Sequence, residues 1–264
     1  LRTEVAAGRP RISGAIRAGT IDLAEMGLIP GASPEEALVA SKPKSPPVKA
    51  LFDKAPLLPF TALQAVDLTL QLDADKLVGR NISIEKLDVD VQLEAGRLRI
   101  QPAHMAYATG VTDVSFSVDA SGAVPSFALK FSGEDMDADD LLAYAHEPII
   151  LSGSLNLVAD LQSAGLSAHE IAANLTGNVG LALENGRIWR MVDLLSKDVF
   201  DMLLTTADTR TYTDMHCLLG HVSFEKGTGT VDMLYMDSPK IRAKGAGKFN
   251  LADETVDLVI SPEH

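Results

Sequence analysis

Apolar and polar residues alternate with a period of two along most of the chain. Such strict alternation predicts strands with one apolar and one solvated face. Continuous apolar runs, which are typical of a buried parallel sheet, are absent, so the pattern favours an antiparallel sheet of about ten to twelve strands. The apolar members of the first six alternating stretches are Val66, Leu68, Leu70, Leu72, Leu87, Val89, Val91, Leu93, Val114, Phe116, Val118, Phe127, Leu129, Phe131, Leu155, Leu157, Leu161, Val179, Leu181 and Leu183. Further stretches follow at Val222/Phe224, Val231/Met233/Tyr235 and Val256/Leu258/Ile260.

Turn signals separate many of these stretches. Residues 94–97, 184–187 and 225–228 each place a glycine where a tight hairpin requires a positive φ. Residues 119–122 and 252–254 predict two further hairpin loops. The phrase Leu-Glu-x-Gly-Arg occurs at both 93–97 and 183–187, which indicates a modular β-array built from degenerate repeats.

Three kinds of segment interrupt the alternation. Residues 30–59 carry seven of the thirteen prolines and predict a linker or an irregular crossover. Short helices are predicted over 137–144, with Asp137 as the N-cap, and from Ser167 to Ala173. Apolar residues at helical spacing predict a longer helix over 191–204. We therefore divide the chain into the end of a preceding β repeat (1–29), the proline-rich segment (30–59) and a larger β unit (60–264), and we expect it to be a fragment of a longer protein.

Composition limits the possible partners. The 264 residues carry a net charge of −13, which argues against nucleic acid and against electrostatic docking on an anionic membrane surface. Five of the acidic residues fall on the polar phase of the strands and are expected in solvent: Asp67, Asp88, Asp90, Asp113 and Asp119. Hydrophobic residues make up 46% but aromatic residues only 5%, so the apolar phase is mainly aliphatic.

Candidate chemistry is sparse. The sequence contains neither a Gly-x-Ser-x-Gly elbow nor a complete phosphate loop. The acidic residues at 134–140 are interpreted as the start of a helix rather than a calcium loop, because a calcium loop beginning at Asp135 would place His146 where glutamate is required. His216, Cys217 and His221 match no usual zinc spacing. We therefore expect no catalytic residues, no metal, no cofactor and no enzymatic activity.

The apolar phase itself is the remaining feature. In a two-sheet sandwich, the aliphatic rows of the two sheets would face each other and fill a core. In one long curved sheet, the same rows would line an open trough. The periodicity does not separate these two arrangements.

The order of several phrases resembles the AsmA-like C-terminal region of bacterial AsmA-family proteins. The similarity begins with the Pro-Phe-x-x-Leu-x-x-Val-Asp-Leu-x-Leu phrase at 59–70 and continues through the strand–hairpin–strand at 84–100. An Asp-then-Leu-Leu helix at 136–142, a glycine-containing strand at 151–157 and the phrase at 175–188 follow in the family's order. The similarity ends with the glycine-rich strands at 241–258. The resemblance covers about 60–264, and 11–26 is similar to the preceding repeat.

This resemblance implies a mainly β fold: a long, curved, antiparallel, groove-like sheet with a few short helices. It implies a periplasmic protein anchored in the inner membrane by an N-terminal transmembrane helix that lies outside this chain. Its TamB-like and chorein-type relatives are implicated in moving phospholipid between membranes and in outer-membrane homeostasis. The twenty apolar residues named above then become candidates for contact with acyl chains, and envelope proteins become possible partners. The alternative is a non-enzymatic scaffold or chaperone for outer-membrane protein assembly, which would use strand edges for β-augmentation.

Overall fold

In the part of the chain that the structure describes, thirteen strands form one open sheet, and their order in the sheet is their order in the sequence. The computed structural model describes residues 2–6, 9–22, 51–57, 60–78, 83–107, 110–144, 151–189, 212–239 and 242–263. The strands are β1 (Arg2–Ala6), β2 (Arg9–Asp22), β3 (Asp67–Val78), β4 (Ser83–Glu94), β5 (Arg97–Tyr107), β6 (Gly110–Asp119), β7 (Ser126–Asp137), β8 (Leu151–Ala164), β9 (Thr176–Trp189), β10 (Tyr212–Glu225), β11 (Thr228–Asp237), β12 (Arg242–Asn250) and β13 (Thr255–Glu263). Two helices, α1 (Ala138–Tyr144) and α2 (Ala168–Ala173), and a 3₁₀ helix (Phe60–Gln64) complete the described elements. The predicted mainly β class is confirmed.

One strand pair departs from the predicted antiparallel arrangement. β2 and β3 run parallel, with Ile12 opposite Leu68 and Ile16 opposite Leu72. A parallel pair needs a crossover of a dozen or more residues, and residues 23–66, which include the proline-rich segment, make that connection. Within it, residues 51–57 lie beside the loop before α2, where the Leu57 amide donates to the Leu166 carbonyl at 3.0 Å.

The predicted turns divide into two groups. Residues 94–97 and 225–228 form the expected hairpins, with positive φ at Ala95, Gly96, Lys226 and Gly227. The hairpin predicted at 184–187 is wrong, because β9 runs straight through it from Thr176 to Trp189. Only Asn185 has a positive φ there, of 51°.

Asn185 belongs to a β-bulge rather than a turn. Glu184 pairs with Ser154 of β8 and Arg187 with Ser152, so β9 carries one residue more than β8 over this interval. Pairing on both sides of β9 holds the strand extended where the local sequence favours reversal. Comparable irregularities lie beside Lys86 in β4 and Asp135 in β7, which also have positive φ. Bulges bend a strand and increase its local twist, so the sheet is bent at several strands.

Both short helices form as predicted. The Asp137 carboxylate accepts the Asp139 amide at 2.9 Å at the start of α1. Ser167 caps α2 by accepting the Glu170 amide at 3.1 Å, and the Glu170 carboxylate accepts the Leu166 amide at 2.7 Å. The Ser167 contact satisfies an amide that the first turn would leave unpaired, and the Glu170 contact ties the residue before the cap to the helix. The helix predicted over 191–204 lies outside the described residues.

Candidate functional site

The paired strands share one continuous apolar face, defined here as the side of the sheet that carries Leu70 and Val91. Residues directly opposite each other in a ladder point to the same side, so the register identifies this face strand by strand. One row crosses six strands without interruption, through Leu70, Val91, Ile100, Phe116, Leu129 and Leu161. The opposite side, with Thr69, Gln71 and Gln92, is called the polar face.

The same row continues to the far edge of the sheet, but its composition changes. From β9 to β13 it passes through Gly177, Phe224, Gly229, Phe249 and Val256. A methyl group on Gly229 would collide with the Phe249 ring, which covers that glycine. The Phe224 and Phe249 rings meet edge to face, with centroids 5.6 Å apart. The Phe249 ring over Gly229 and its contact with Phe224 therefore keep this part of the face apolar.

The twenty predicted contact residues differ in how far the fold covers them. Val66 lies one residue before β3, and the other nineteen lie on strands of the ladder. Six are buried: Leu87, Val89, Leu93, Val118, Leu155 and Leu183. The other fourteen are half-buried. Buried members pack within the sheet, whereas the half-buried members keep part of their apolar surface accessible.

α1 accounts for the most deeply buried part of the face. Met136, Leu155, Leu183 and Met215 form a buried cluster, and Leu141 of α1 packs against it. Leu183 has no exposed surface. In a single sheet such burial requires a cover, and α1 supplies it at the strand ends where β8 begins.

The opposite strand ends are bordered by other elements. The Phe60 ring of the 3₁₀ helix contacts Phe127 edge to face, with centroids 5.8 Å apart. The Gln64 side chain donates to the Ala120 carbonyl at 2.5 Å, which fastens this helix to the β6–β7 loop. Between these two borders, no second sheet covers the apolar face in the part of the chain that the structure describes. There the structure shows the open arrangement rather than the two-sheet sandwich.

Sequence patterning missed several members of the face. Leu98 and Ile100 alternate with Arg97 and Arg99 just after a predicted turn, so the alternation that marks a strand is present there but spans only four residues. Leu234 and Met236 lie on the apolar face instead of the predicted Met233 and Tyr235, because an irregularity between Val231 and Leu234 reverses the phase. Met233 is 46% exposed as a result.

The expected solvent exposure of Asp67 is wrong. This carboxylate is only 5% exposed, because it lies at the start of β3 beneath Arg9 and Arg11 and accepts the Ala95 amide at 3.1 Å. Asp88 and Asp113 are exposed as predicted. Asp119 is partly exposed, and hydrogen bonds from the Ser121 side chain and amide, followed by Arg97, lower its pKa to about 2.

The histidines at 216 and 221 pair with different carboxylates. His216 Nδ1 lies 3.3 Å from Asp237 Oδ2, and His221 Nδ1 lies 3.1 Å from Asp232 Oδ2. Desolvation acts to raise the pKa of Asp237, but the contacts with His216 and Arg242 outweigh it, so the pKa is lowered overall. Among the described residues, no group of three or more His, Cys, Asp or Glu side chains is placed to hold a metal ion.

Comparison with known proteins assigns the family. The AsmA family model matches residues 2–234, which is most of the chain. The chain belongs to the AsmA family. It is 20% identical over 265 residues to the AsmA family protein YhjG of Escherichia coli (strain K12). That alignment covers 97% of this chain but only 38% of the relative. No solved structure matches the chain significantly.

AsmA family membership supports a role in lipid or protein homeostasis of the envelope. None of the helices within the described ranges combines the length and the apolar character needed to span a bilayer.

Proposed function

We propose that this chain is a segment of a periplasmic, inner-membrane-anchored lipid transfer protein, and that its apolar face carries phospholipid acyl chains between the inner and outer membranes. The observation that supports this most directly is the half-buried apolar row from Leu70 to Leu161, over which no second sheet packs within the described residues. Monomeric soluble proteins rarely leave a large continuous apolar surface without an occupant.

The dimensions of the row suit an acyl chain. Six adjacent strands at about 4.8 Å spacing give a path of roughly 24 Å. The hydrocarbon half of a bilayer is about 15 Å thick, so one chain would lie along the row with room to move. Burial is worth about 0.8 kcal/mol per CH₂, which offsets withdrawal of the chain from a membrane.

The transfer mechanism is passive and requires no catalysis. The apolar side chains of the Leu70–Leu161 row offer no fixed polar anchor, so an acyl chain gains similar contacts at each position and slides between them. Head groups remain in water beside the face. The acidic polar face, with Asp73, Asp88 and Asp113, keeps the other side of the sheet hydrated.

A photocrosslinking experiment tests this proposal. A photoreactive amino acid replaces Leu70 on the apolar face, and in a matched control it replaces Gln71, the adjacent residue on the polar face. We expect phospholipid adducts from position 70 and none from position 71 after irradiation in a bacterial envelope. Leu70→Asp combined with Val91→Asp should abolish adducts from a second probe at Leu129, whereas Gln71→Asp combined with Gln92→Asp should not. Equal lipid labelling at positions 70 and 71, or unchanged labelling in the Asp double variant, would contradict the proposal.

One observation favours a second candidate, a scaffold that holds strands of outer-membrane proteins. Within the described ranges, β13 pairs only with β12, and it exposes Val256 to 75% and Val259 to 63%. Open edge strands accept further strands by backbone pairing. Native mass spectrometry distinguishes the two functions, because co-purified phospholipid supports transfer and a co-purified β-strand polypeptide supports the scaffold.

A further inference from the structure

A cluster of arginines surrounds a cavity on the polar face, next to the β4–β5 hairpin. The cavity has a volume of about 570 Å³, and Arg9, Arg11, Arg97 and Arg99 line it. We call it the arginine cavity. Its size lies within the range of small-ligand sites, roughly 300–1,000 Å³. The register places it on the opposite side from the apolar face, since Arg11 pairs with Asp67 and Arg99 with Gln92.

The local charge is opposite to that of the whole chain. Four of the eleven arginines in a chain of net charge −13 line this one cavity. Among the lining residues that the structure describes, Asp67 and Glu94 are the only acidic ones. Asp67 is buried beneath the arginines, and its carboxylate already accepts a hydrogen bond from the Ala95 amide. The cavity is therefore a small cationic site on an acidic surface.

The guanidinium groups are only loosely paired. Arg9 Nη1 lies 4.0 Å from Asp67 Oδ1, and Arg11 Nη2 lies 3.7 Å from Asp67 Oδ2. These separations exceed hydrogen-bond length, as does the 3.9 Å from Arg11 Nη2 to Glu94 Oε1. By contrast, Arg97 Nε donates to Asp119 at 3.0 Å.

Arg99 has still fewer interactions. It makes no ion pair and donates no side-chain hydrogen bond within the part of the chain that the structure describes. The guanidinium groups of Arg9, Arg11 and Arg99 thus line the arginine cavity with N–H groups that donate no close side-chain hydrogen bond among the described residues. A guanidinium fork matches the oxygens of a phosphate, and several forks together suit a tetrahedral anion with three or more acceptor oxygens.

We propose that the arginine cavity binds a phosphate ester, with Arg9, Arg11 and Arg99 as its donors and Arg97 held in position by Asp119. The phosphate comes either from a soluble phosphomonoester or from the head group of an anionic phospholipid. The site lies on the polar face and does not depend on the acyl-chain function proposed above.

Calorimetric titration of the full chain with sn-glycerol 3-phosphate and with inorganic phosphate tests the soluble source. Co-sedimentation with phosphatidylcholine vesicles, with and without phosphatidic acid, tests the lipid source. We expect saturable binding in at least one of these two experiments. Arg99→Gln and Arg11→Gln should each weaken it about tenfold, which corresponds to about 1.4 kcal/mol. Arg17→Gln is the matched control, because Arg17 is an exposed arginine on the same side of β2 that pairs with Asp73 at 3.7 Å outside the cavity.

Asp67→Asn gives a result of opposite sign. An amide oxygen can still accept the Ala95 N–H, while the competing negative charge beneath the arginines is lost. Phosphate affinity should therefore rise. If the wild-type chain shows no saturable binding in either experiment, the proposal is overturned. It is also overturned if Arg17→Gln weakens binding as much as Arg99→Gln does. Binding of only the soluble ester, or only of phosphatidic acid vesicles, supports the proposal and identifies the source.

Discussion

Leu183 is the residue whose replacement should loosen the sheet most. It lies on β9 with no exposed surface, within the cluster of Met136, Leu155 and Met215 that Leu141 of α1 covers. Truncating a fully buried leucine to alanine removes its transfer free energy and leaves a cavity, at a cost of about 2–5 kcal/mol. Because strands on both sides of β9 hold the site in place, little collapse is available, and we expect a value in the upper part of that range.

Native-state hydrogen exchange measures this cost locally. Leu183→Ala should raise the exchange rates of protected amides in β8, β9 and β10 by roughly 300-fold or more. Leu70→Ala is the matched control: it removes the same group from the same face, but from a half-buried position outside the cluster that α1 covers. We expect it to cost about half as much or less. The assigned role of α1 as a cover would be refuted if Leu183→Ala leaves the exchange rates in β9 within about threefold of the wild type. It would also be refuted if the rates rise equally in Leu183→Ala and Leu70→Ala.

Two other predictions concern the hairpin ends. Gly227→Ala should destabilise the chain by about 1–3 kcal/mol in urea unfolding, because φ is +73° there and the new Cβ would lie 2.7 Å from the Ala173 carbonyl oxygen. Gly122→Ala is the control and should cost little, because its Cβ would make only an ordinary contact, 3.9 Å from the Val124 carbonyl oxygen. Equal costs for the two variants would contradict this prediction. Asp119 has a folded pKa of about 2 against an ordinary 3.8, so its stabilising contribution is present above about pH 4 and is lost as the pH falls towards 2. The gap in melting temperature between the wild type and Asp119→Asn should therefore shrink over that interval, and a gap independent of pH would count against the Ser121 and Arg97 contacts.

Much of the fold follows from period-two patterning. The sequence of β3 and β4 specifies both the strands and their apolar side, and the register joins Leu70 to Val91 on the face that alternation predicted. The two hairpins at Gly96 and Gly227 were predicted for the same local reason, namely backbone positions that require a positive φ.

The predictions that failed depend on pairing between distant segments. Asn185-Gly186 favours a turn locally, yet backbone pairing to β8 and β10 keeps it within a strand. The reversed phase at Met233 comes from an irregular pairing with β10 and β12 that no local signal marks. Asp67 alternates like the exposed Asp88, and only the crossover that brings Arg9 and Arg11 beside β3 buries it.

The strictly sequential strand order has a consequence for how this molecule changes over evolution and for how it folds. Each strand contacts little beyond its two neighbours, so stability is close to a sum of nearest-neighbour terms along one dimension. Folding of such an array can begin at any hairpin and spread outward, and no single closing step joins its ends. Whole hairpins can then be gained or lost by duplication or deletion without altering the contacts of strands a few positions away. An apolar surface carried by such an array lengthens or shortens in increments of about 10 Å per hairpin.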